Sequence, residues 1–227
     1  MNILAIDTST TACTVALKAG DECYERFVIA PREHANLVLP MIESVLAEAG
    51  LSRASLDYIA YGCGPGSFTG VRIAAGIVQG IALALDLPVV PVSSLRCVAQ
   101  VCFDQHQTDT VLAAFDARMK EVYWGLYSAN SDGVMLLSDT EHVSPADDVC
   151  VVTNNAYGAG DGWGAYAHQL QQKSGISSDR VDATIFPHGK QLAELAVYEY
   201  SLGVLLTADQ ALPTYLRNNV THRPAAK

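Results

Sequence analysis

Residues Ile3 to Lys18, ILAIDTSTTACTVALK, return in altered form as Val111 to Tyr127, VLAAFDARMKEVYWGLY. Each stretch runs through an apolar strand, an Asp, a polar turn and a second strand, so the chain reads as one supersecondary unit used twice. Such an echo constrains the fold strongly, because both copies must bury the same alternating apolar positions in the same way.

The elements around the first copy follow from periodicity and punctuation. Asn2 to Asp7, Ala12 to Lys18 and Glu22 to Ile29 predict a three-strand meander. Glu33 to Ala49 has helical period and closes on Gly50; a strand at Leu56 to Tyr61, a helix from about Gly70 to Leu85 and a strand at Pro88 to Val92 come next. After the second copy the expected elements are strands near Val134 to Leu137 and at Val149 to Thr153, then helices around Trp163 to Lys173 and His188 to Leu202. A βββαβαβ unit repeated once is the arrangement of the actin-like (ASKHA) fold, an α/β architecture of two ribonuclease-H-like halves with mixed sheets flanked by helices. With 227 residues the chain has room for two such units. The polar stretch FDQHQTD places the boundary near Gln105 and His106, giving halves 1–105 and 106–227.

Charge narrows the function. A formal net charge of −10 repels nucleic-acid phosphate on average, so any RNA is expected to be held by another protein. Six cysteines without a CxxC read as reduced thiols. The sequence opens straight into NILAID, and Arg72 and Gln79 interrupt the longest apolar run. A cytoplasmic location without membrane insertion is therefore expected.

The loop between the fourth strand and the second helix, GPGSFTG, spans Gly64 to Gly70. It lacks the GK[ST] of a Walker A loop, and its third glycine falls one place late for GxGxxG. What remains is general: a tight turn at Gly64, Gly66 and Gly70, a helix cap from Ser67 or Thr69, and free N–H groups that could take an anion. The reading favoured on geometry is a turn that packs the helix closely on its strand. Asp7, Thr8 and Ser9 in the first hairpin keep the acid and hydroxyls of an actin-type phosphate turn but not its glycine, and Asp116 at the matching place also lacks one. Together these residues form vestigial phosphate loops at most.

The two helices carry more apolar surface than a sheet can cover. On the first, the apolar residues span roughly 200° of the wheel, about twice what one sheet contact needs. Pro40 should kink that helix or start it anew. Between Val71 and Leu85 only Arg72 and Gln79 are polar. If Ile77, Ile81, Ala74, Val78 and Leu85 face the sheet, then Arg72, Gly76, Gln79, Gly80 and Leu83 face outward. With Leu37, Met41 and Val45 on the first helix and His34 at the rim, they make the expected partner interface.

ILAIDTST, PREH (Pro31 to His34), GPGSFTGVR, DARMKEVYW and YLRNNV (Tyr215 to Val220) together resemble the bacterial TsaB (YeaZ) family. The resemblance implies a non-catalytic subunit of the machinery that makes N6-threonylcarbamoyladenosine (t6A) at position 37 of tRNAs reading codons that begin with A. In that family the related TsaD carries the metal and transfers the threonylcarbamoyl group, and TsaE is the ATPase. TsaD and TsaE are then the expected partners, tRNA is met only through the complex, and a homodimer forms through the same surface when TsaD is absent. No cofactor is implied; any nucleotide binding is expected to be weak or shared within the complex. TsaD relatives follow the equivalent of LPVVPVSS with an HHMEGH-type metal segment, where this chain has SSLRCV with Ser94 and Val98 at the ligand positions. The six histidines show no HxxxH or HxH spacing, so no metal site is expected. The alternative is an independent actin-like phosphotransferase or metallopeptidase, which would need a phosphate or metal constellation that these spacings lack.

Overall fold

The computed structural model describes residues 1–151 and 155–217. The first unit comprises β1 (Asn2–Asp7), β2 (Ala12–Ala19), β3 (Glu22–Ile29), α1 (His34–Ala49), β4 (Tyr58–Gly64), α2 (Phe68–Leu85) and β5 (Val89–Ser93). After α3 (Ser94–His106), the second unit has β6 (Thr110–Arg118), β7 (Glu121–Ala129), β8 (Met135–Leu137), β9 (His142–Pro145), β10 (Tyr157–Ala159), α4 (Asp161–Ser174), β11 (Val181–Asp182) and α5 (Gly189–Ser201).

The strand orders are β3-β2-β1-β4-β5 and β11-β10-β6-β7-β8, with β9 pairing to β7. Renumbered within each unit with the side strand β9 left out, both read 3-2-1-4-5. In both, the first strand pairs antiparallel with the second and parallel with the fourth. The sequence echo is thus a structural duplication, and the chain has the two-lobed actin-like α/β fold.

Alternation along the first strand of each sheet distributes the core. Leu4 and Ile6 join Val38, Val45 and Val78 of α1 and α2 on one face. Ile3 and Ala5 meet Leu192, Ala193 and Ala196 of α5 on the other. In the second sheet Val111, Ala113 and Phe115 pack with Leu95, Val98 and Cys102 of α3, and Leu112 and Ala114 with Trp163 and Leu170 of α4. Both central strands are covered on both faces, which is why they read as continuous apolar runs.

Several expectations need correction. Helix α3 occupies a stretch with no expected element, and FDQHQTD is helical through His106. Its buried Leu95, Cys97, Val98, Val101 and Cys102 supply the apolar period that marks it. Two helices cross over the division of the sequence at 105/106. Although α3 precedes that point, it lies on the second sheet, and α5, far beyond it, covers the first. Residues 149–151 are not a strand, and the rest of the strand expected at Val149 to Thr153 lies outside the described residues. Short strands β9, β10 and β11 build the second sheet instead. Helix α1 runs through Pro40 as one element and ends, as expected, on left-handed Gly50.

Candidate functional site

The first hairpin and the glycine loop meet at the bottom of a cleft between the lobes. Asp7 is fully buried: Oδ1 accepts from the Ser9 N–H and hydroxyl at 2.7 Å each, and Oδ2 from the Ser94 hydroxyl at 2.7 Å. Burial pushes its carboxyl above the usual range, against the pull of those hydrogen bonds. A methyl on Gly62 would lie 1.8 Å from Asp7 Oδ2, so the acid is sealed against β4.

The glycines of GPGSFTG serve close approach. A Cβ on Gly66 would lie 2.4 Å from the Ser9 carbonyl oxygen, and one on Gly70 would lie 2.0 Å from that of Thr8. The Ser67 N–H donates to Ser9 O at 2.7 Å, and the Thr8 hydroxyl donates to Gly70 O at 2.7 Å. Ser67 also caps α2 by accepting from the Gly70 N–H. The loop therefore clamps the start of α2 onto the first turn. Glycine at these two positions admits a neighbouring backbone.

Above this clamp, Ser9, Gly66, Ser67, Thr69 and Gly70 line a cleft of about 550 Å³, opposite Asp116, Arg118, Tyr123 and Asp161. Asp7, Thr8 and Gly64 do not line it. Asp116 accepts from its neighbour Arg118 at 2.9 Å and from the Tyr166 hydroxyl at 3.3 Å, and its own N–H donates to Asp161 Oδ1 at 3.0 Å. Burial raises the pKa of Asp161. Arg118, Met119 and Lys120 all adopt positive φ, so the hairpin tip takes a conformation that favours Gly and Asn. Among the described residues, no three His, Cys, Asp or Glu side chains gather closely enough to hold a metal ion. His106, His142 and His188 each stack on an aromatic ring, and His34 reaches Ala12 O at 3.2 Å; His222 lies outside the described residues.

The helix face is only partly as expected. Met41, Val45 and His34 are buried in the chain itself, because this side of α1 rests on β2 and β3. Leu37 is half-buried, and Gln79 is half-buried with its amide donating to Ala211 O at 3.0 Å. The sheet-facing residues of α2 are Val71, Ala74, Ala75, Val78 and Ala82, whereas Ile77, Ile81 and Leu85 are half-exposed. Leu83 is 78% exposed and Leu39 is 53% exposed. Arg72, Gly76 and Gly80 are exposed, and a Cβ on either glycine would meet nothing within 4 Å. By length and composition α2 is apolar enough to cross a bilayer, contrary to the reading that Arg72 and Gln79 interrupt it. Only a third of it is buried, so the surplus apolar surface is exposed.

Sequence reasoning missed Phe68 and Tyr215. Phe68 is 58% exposed, stacks under the Arg72 guanidinium and faces Tyr215. Both lie inside quoted motifs, GPGSFTGVR and YLRNNV, and an aromatic at a helix start among small residues was the available signal. The C-terminal segment carrying Tyr215 is pinned across the lobes. The Tyr61 hydroxyl donates to Leu212 O at 3.0 Å, the Thr214 N–H to Cys63 O at 2.7 Å, and the Arg217 guanidinium to Ala117 O at 3.0 Å. The end of YLRNNV, from residue 218, lies outside the described residues.

Residues 28–152 match the family model described as TsaD: tRNA N6-adenosine threonylcarbamoyltransferase. The chain is 40% identical to the Haemophilus influenzae tRNA threonylcarbamoyladenosine biosynthesis protein TsaB, with 97% of this chain and 95% of the relative covered. It is 39% identical to the Escherichia coli protein of the same name, over 97% and 96%. The solved structure of YeaZ from Pseudomonas aeruginosa superposes with a TM-score of 0.87 at 42% identity, covering 95% of this chain and 99% of that one.

Proposed function

The chain belongs to the TsaB family, and from that premise we propose that it serves as a non-catalytic subunit in t6A formation at position 37 of tRNAs reading A-starting codons. It docks on a TsaD protein through α1 and α2, in the half spanning residues 1–105, and supports catalysis there together with TsaE in the cytoplasm. The observation that carries docking is the outer face of α2. Gly76 and Gly80 leave room for another helix to approach, and Leu83 stands 78% exposed beside them. A second copy takes the same face when TsaD is absent, and tRNA is met only through the assembly, as the net charge of −10 favours.

The non-catalytic part rests on Asp7. In an actin-type nucleotide site this carboxylate would face phosphate and its metal; here both oxygens are taken by Ser9 and Ser94 inside the fold. Asp116 and Asp161 do face the cleft, so any nucleotide binding there is weak or completed by a partner. The test is incorporation of labelled threonine into tRNA by purified TsaC, TsaD and TsaE, with and without this chain. Incorporation that depends on it is the expected result. Incorporation unchanged by its absence, or ATP turnover by the chain alone, contradicts the proposal.

A further inference from the structure

Treating α1 and α2 as a docking face leaves open what a partner must present to it, and the N-terminal end of α2 is specific on this point. The Arg72 guanidinium lies 3.2 Å above the centre of the Phe68 ring and 5.2 Å from that of Tyr215. The two rings sit 6.2 Å apart. Stacking uses the flat faces of the cation and leaves its N–H edge free in the plane. Among the described residues Arg72 donates no hydrogen bond and pairs with no acid. By contrast, Arg26, Arg53, Arg96, Arg118 and Arg217 each hold a carboxylate, and Arg32 and Arg180, which hold none among the described residues, are not stacked on an aromatic ring. In a chain with 24 acidic and 14 basic residues, a held but unpaired guanidinium on an apolar face is anomalous.

We propose that Arg72, held by Phe68 and Tyr215, is a preformed socket for one carboxylate side chain of a different protein, and that it favours that partner over a second copy of this chain. The inference rests on the docking reading above. Its physical basis is preorganisation: the two rings have already restricted the long side chain, so forming a two-pronged bond to a carboxylate costs little further entropy. The adjoining hollow, about 320 Å³, is lined by Pro65, Val71 and Leu216. Its other cation, Arg217, is committed to Glu121. One free guanidinium matches a single carboxylate; a phosphate backbone is met with several cations at once. Selectivity follows from the acids on the face itself. Helices α1 and α2 carry only Glu43 and Glu48, and these are paired with Arg53 and Arg26. A second copy docking by the same helix spans brings no free carboxylate to Arg72, since the exposed Glu33 and Asp86 are cap residues outside those spans.

The experiment compares binding of the full chain to TsaD from the same organism, by titration calorimetry, with its own self-association by sedimentation. Arg72→Met keeps an aliphatic stem over the rings and loses the charge. It should weaken TsaD binding by roughly tenfold to a hundredfold and leave self-association unchanged. Arg72→Lys should lose part of that affinity, since an ammonium keeps charge without the planar fork. Arg72→Glu should be rescued by a Lys replacing one acid of TsaD. Leu83→Glu should impair both associations and reports on the face. If Leu83→Glu abolishes TsaD binding while Arg72→Met leaves it intact, the socket is wrong and the face stands. If neither variant matters, the face fails and the socket with it. Equal loss of TsaD binding and self-association by Arg72→Met overturns the selectivity. Loss of tRNA retention with TsaD affinity intact would assign Arg72 to nucleic acid and overturn the proposal.

Discussion

The two lobes share a strand order, yet they treat the acid at the end of their first strand in opposite ways. In both, glycines that follow the strand parallel to the first (β4, β10) press against backbone of the first strand or of the turn just past it. In the first lobe Gly66 and Gly70 abut Ser9 and Thr8, beyond Asp7; in the second, Gly160 and Gly162 abut Ala114, two residues short of Asp116. The shift decides which acid is shut in. Asp7 is enclosed and hydrogen-bonded inside its lobe, while Asp116 and Asp161 stand on the cleft wall. One topology thus holds one acid in a structural joint and leaves the other on the cleft, according to where the glycines fall.

The largest expected effect tests that joint. Gly70→Ala puts a methyl 2.0 Å from a backbone oxygen that cannot move aside, and should destabilise by about 3 kcal/mol or more. Gly76→Ala, in open space on the same helix, should stabilise by up to about 1 kcal/mol. Urea denaturation of the pair reads the difference; a mild Gly70→Ala breaks the account of the clamp. Next comes the acid itself. Asp7→Ala strands the donors of Ser9 and Ser94 and should cost about 2 to 4 kcal/mol. Asp116→Ala, whose ion-pair partner Arg118 is 80% exposed, should cost no more than about 1 kcal/mol. Equal losses would erase the distinction between a sealed and an open acid.

The pH dependence sharpens the same contrast, with opposite signs. Because the Asp7 carboxyl is raised, its contribution is fully present below the ordinary carboxylate range and is lost as pH rises through the raised value. Glu25 goes the other way. Burial alone would raise it, but hydrogen bonding and charge from His188, the Thr14 hydroxyl and the Gly189 N–H at the start of α5 outweigh that and lower it. Its contribution is present above the ordinary range and is lost as pH falls through the lowered value. Asp7→Asn should therefore flatten the stability profile on its rising-pH side and Glu25→Gln on its acid side. Denaturation midpoints from about pH 3 to pH 8 check both signs. The smallest stability effect belongs to Leu83→Glu, within about 0.5 kcal/mol, because the side chain already faces solvent.

Much of the fold was legible because β1, β2, β3, β6 and β7 are long runs with clear punctuation, and the repeat tied them together. Helix α3 carries its signal in Cys97, Val98, Val101 and Cys102 at helical spacing, but the polar FDQHQTD at its end reads as a loop. Short β9, β10 and β11 carry too few residues for a periodic signal. The crossing of α3 and α5 between lobes is a tertiary choice: each has an apolar face that either sheet could cover. At the site, the outward set on α2 was read from its glycines and Leu83. The set on α1 was not, because a wheel shows how wide an apolar arc is but not which part the sheet takes; Met41 and Val45 went inward. The Phe68–Arg72–Tyr215 stack joins residues far apart in sequence, and no spacing rule brings Tyr215 to α2.

The most direct test of the central claim is threonine incorporation into tRNA by reconstituted TsaC, TsaD and TsaE supplied with three forms of the chain. Wild type and Asp116→Asn should both support incorporation, and Leu83→Glu should not, because the contribution runs through the helix face and not the cleft. Full support by Leu83→Glu together with loss in Asp116→Asn would place the activity in the cleft and contradict the account.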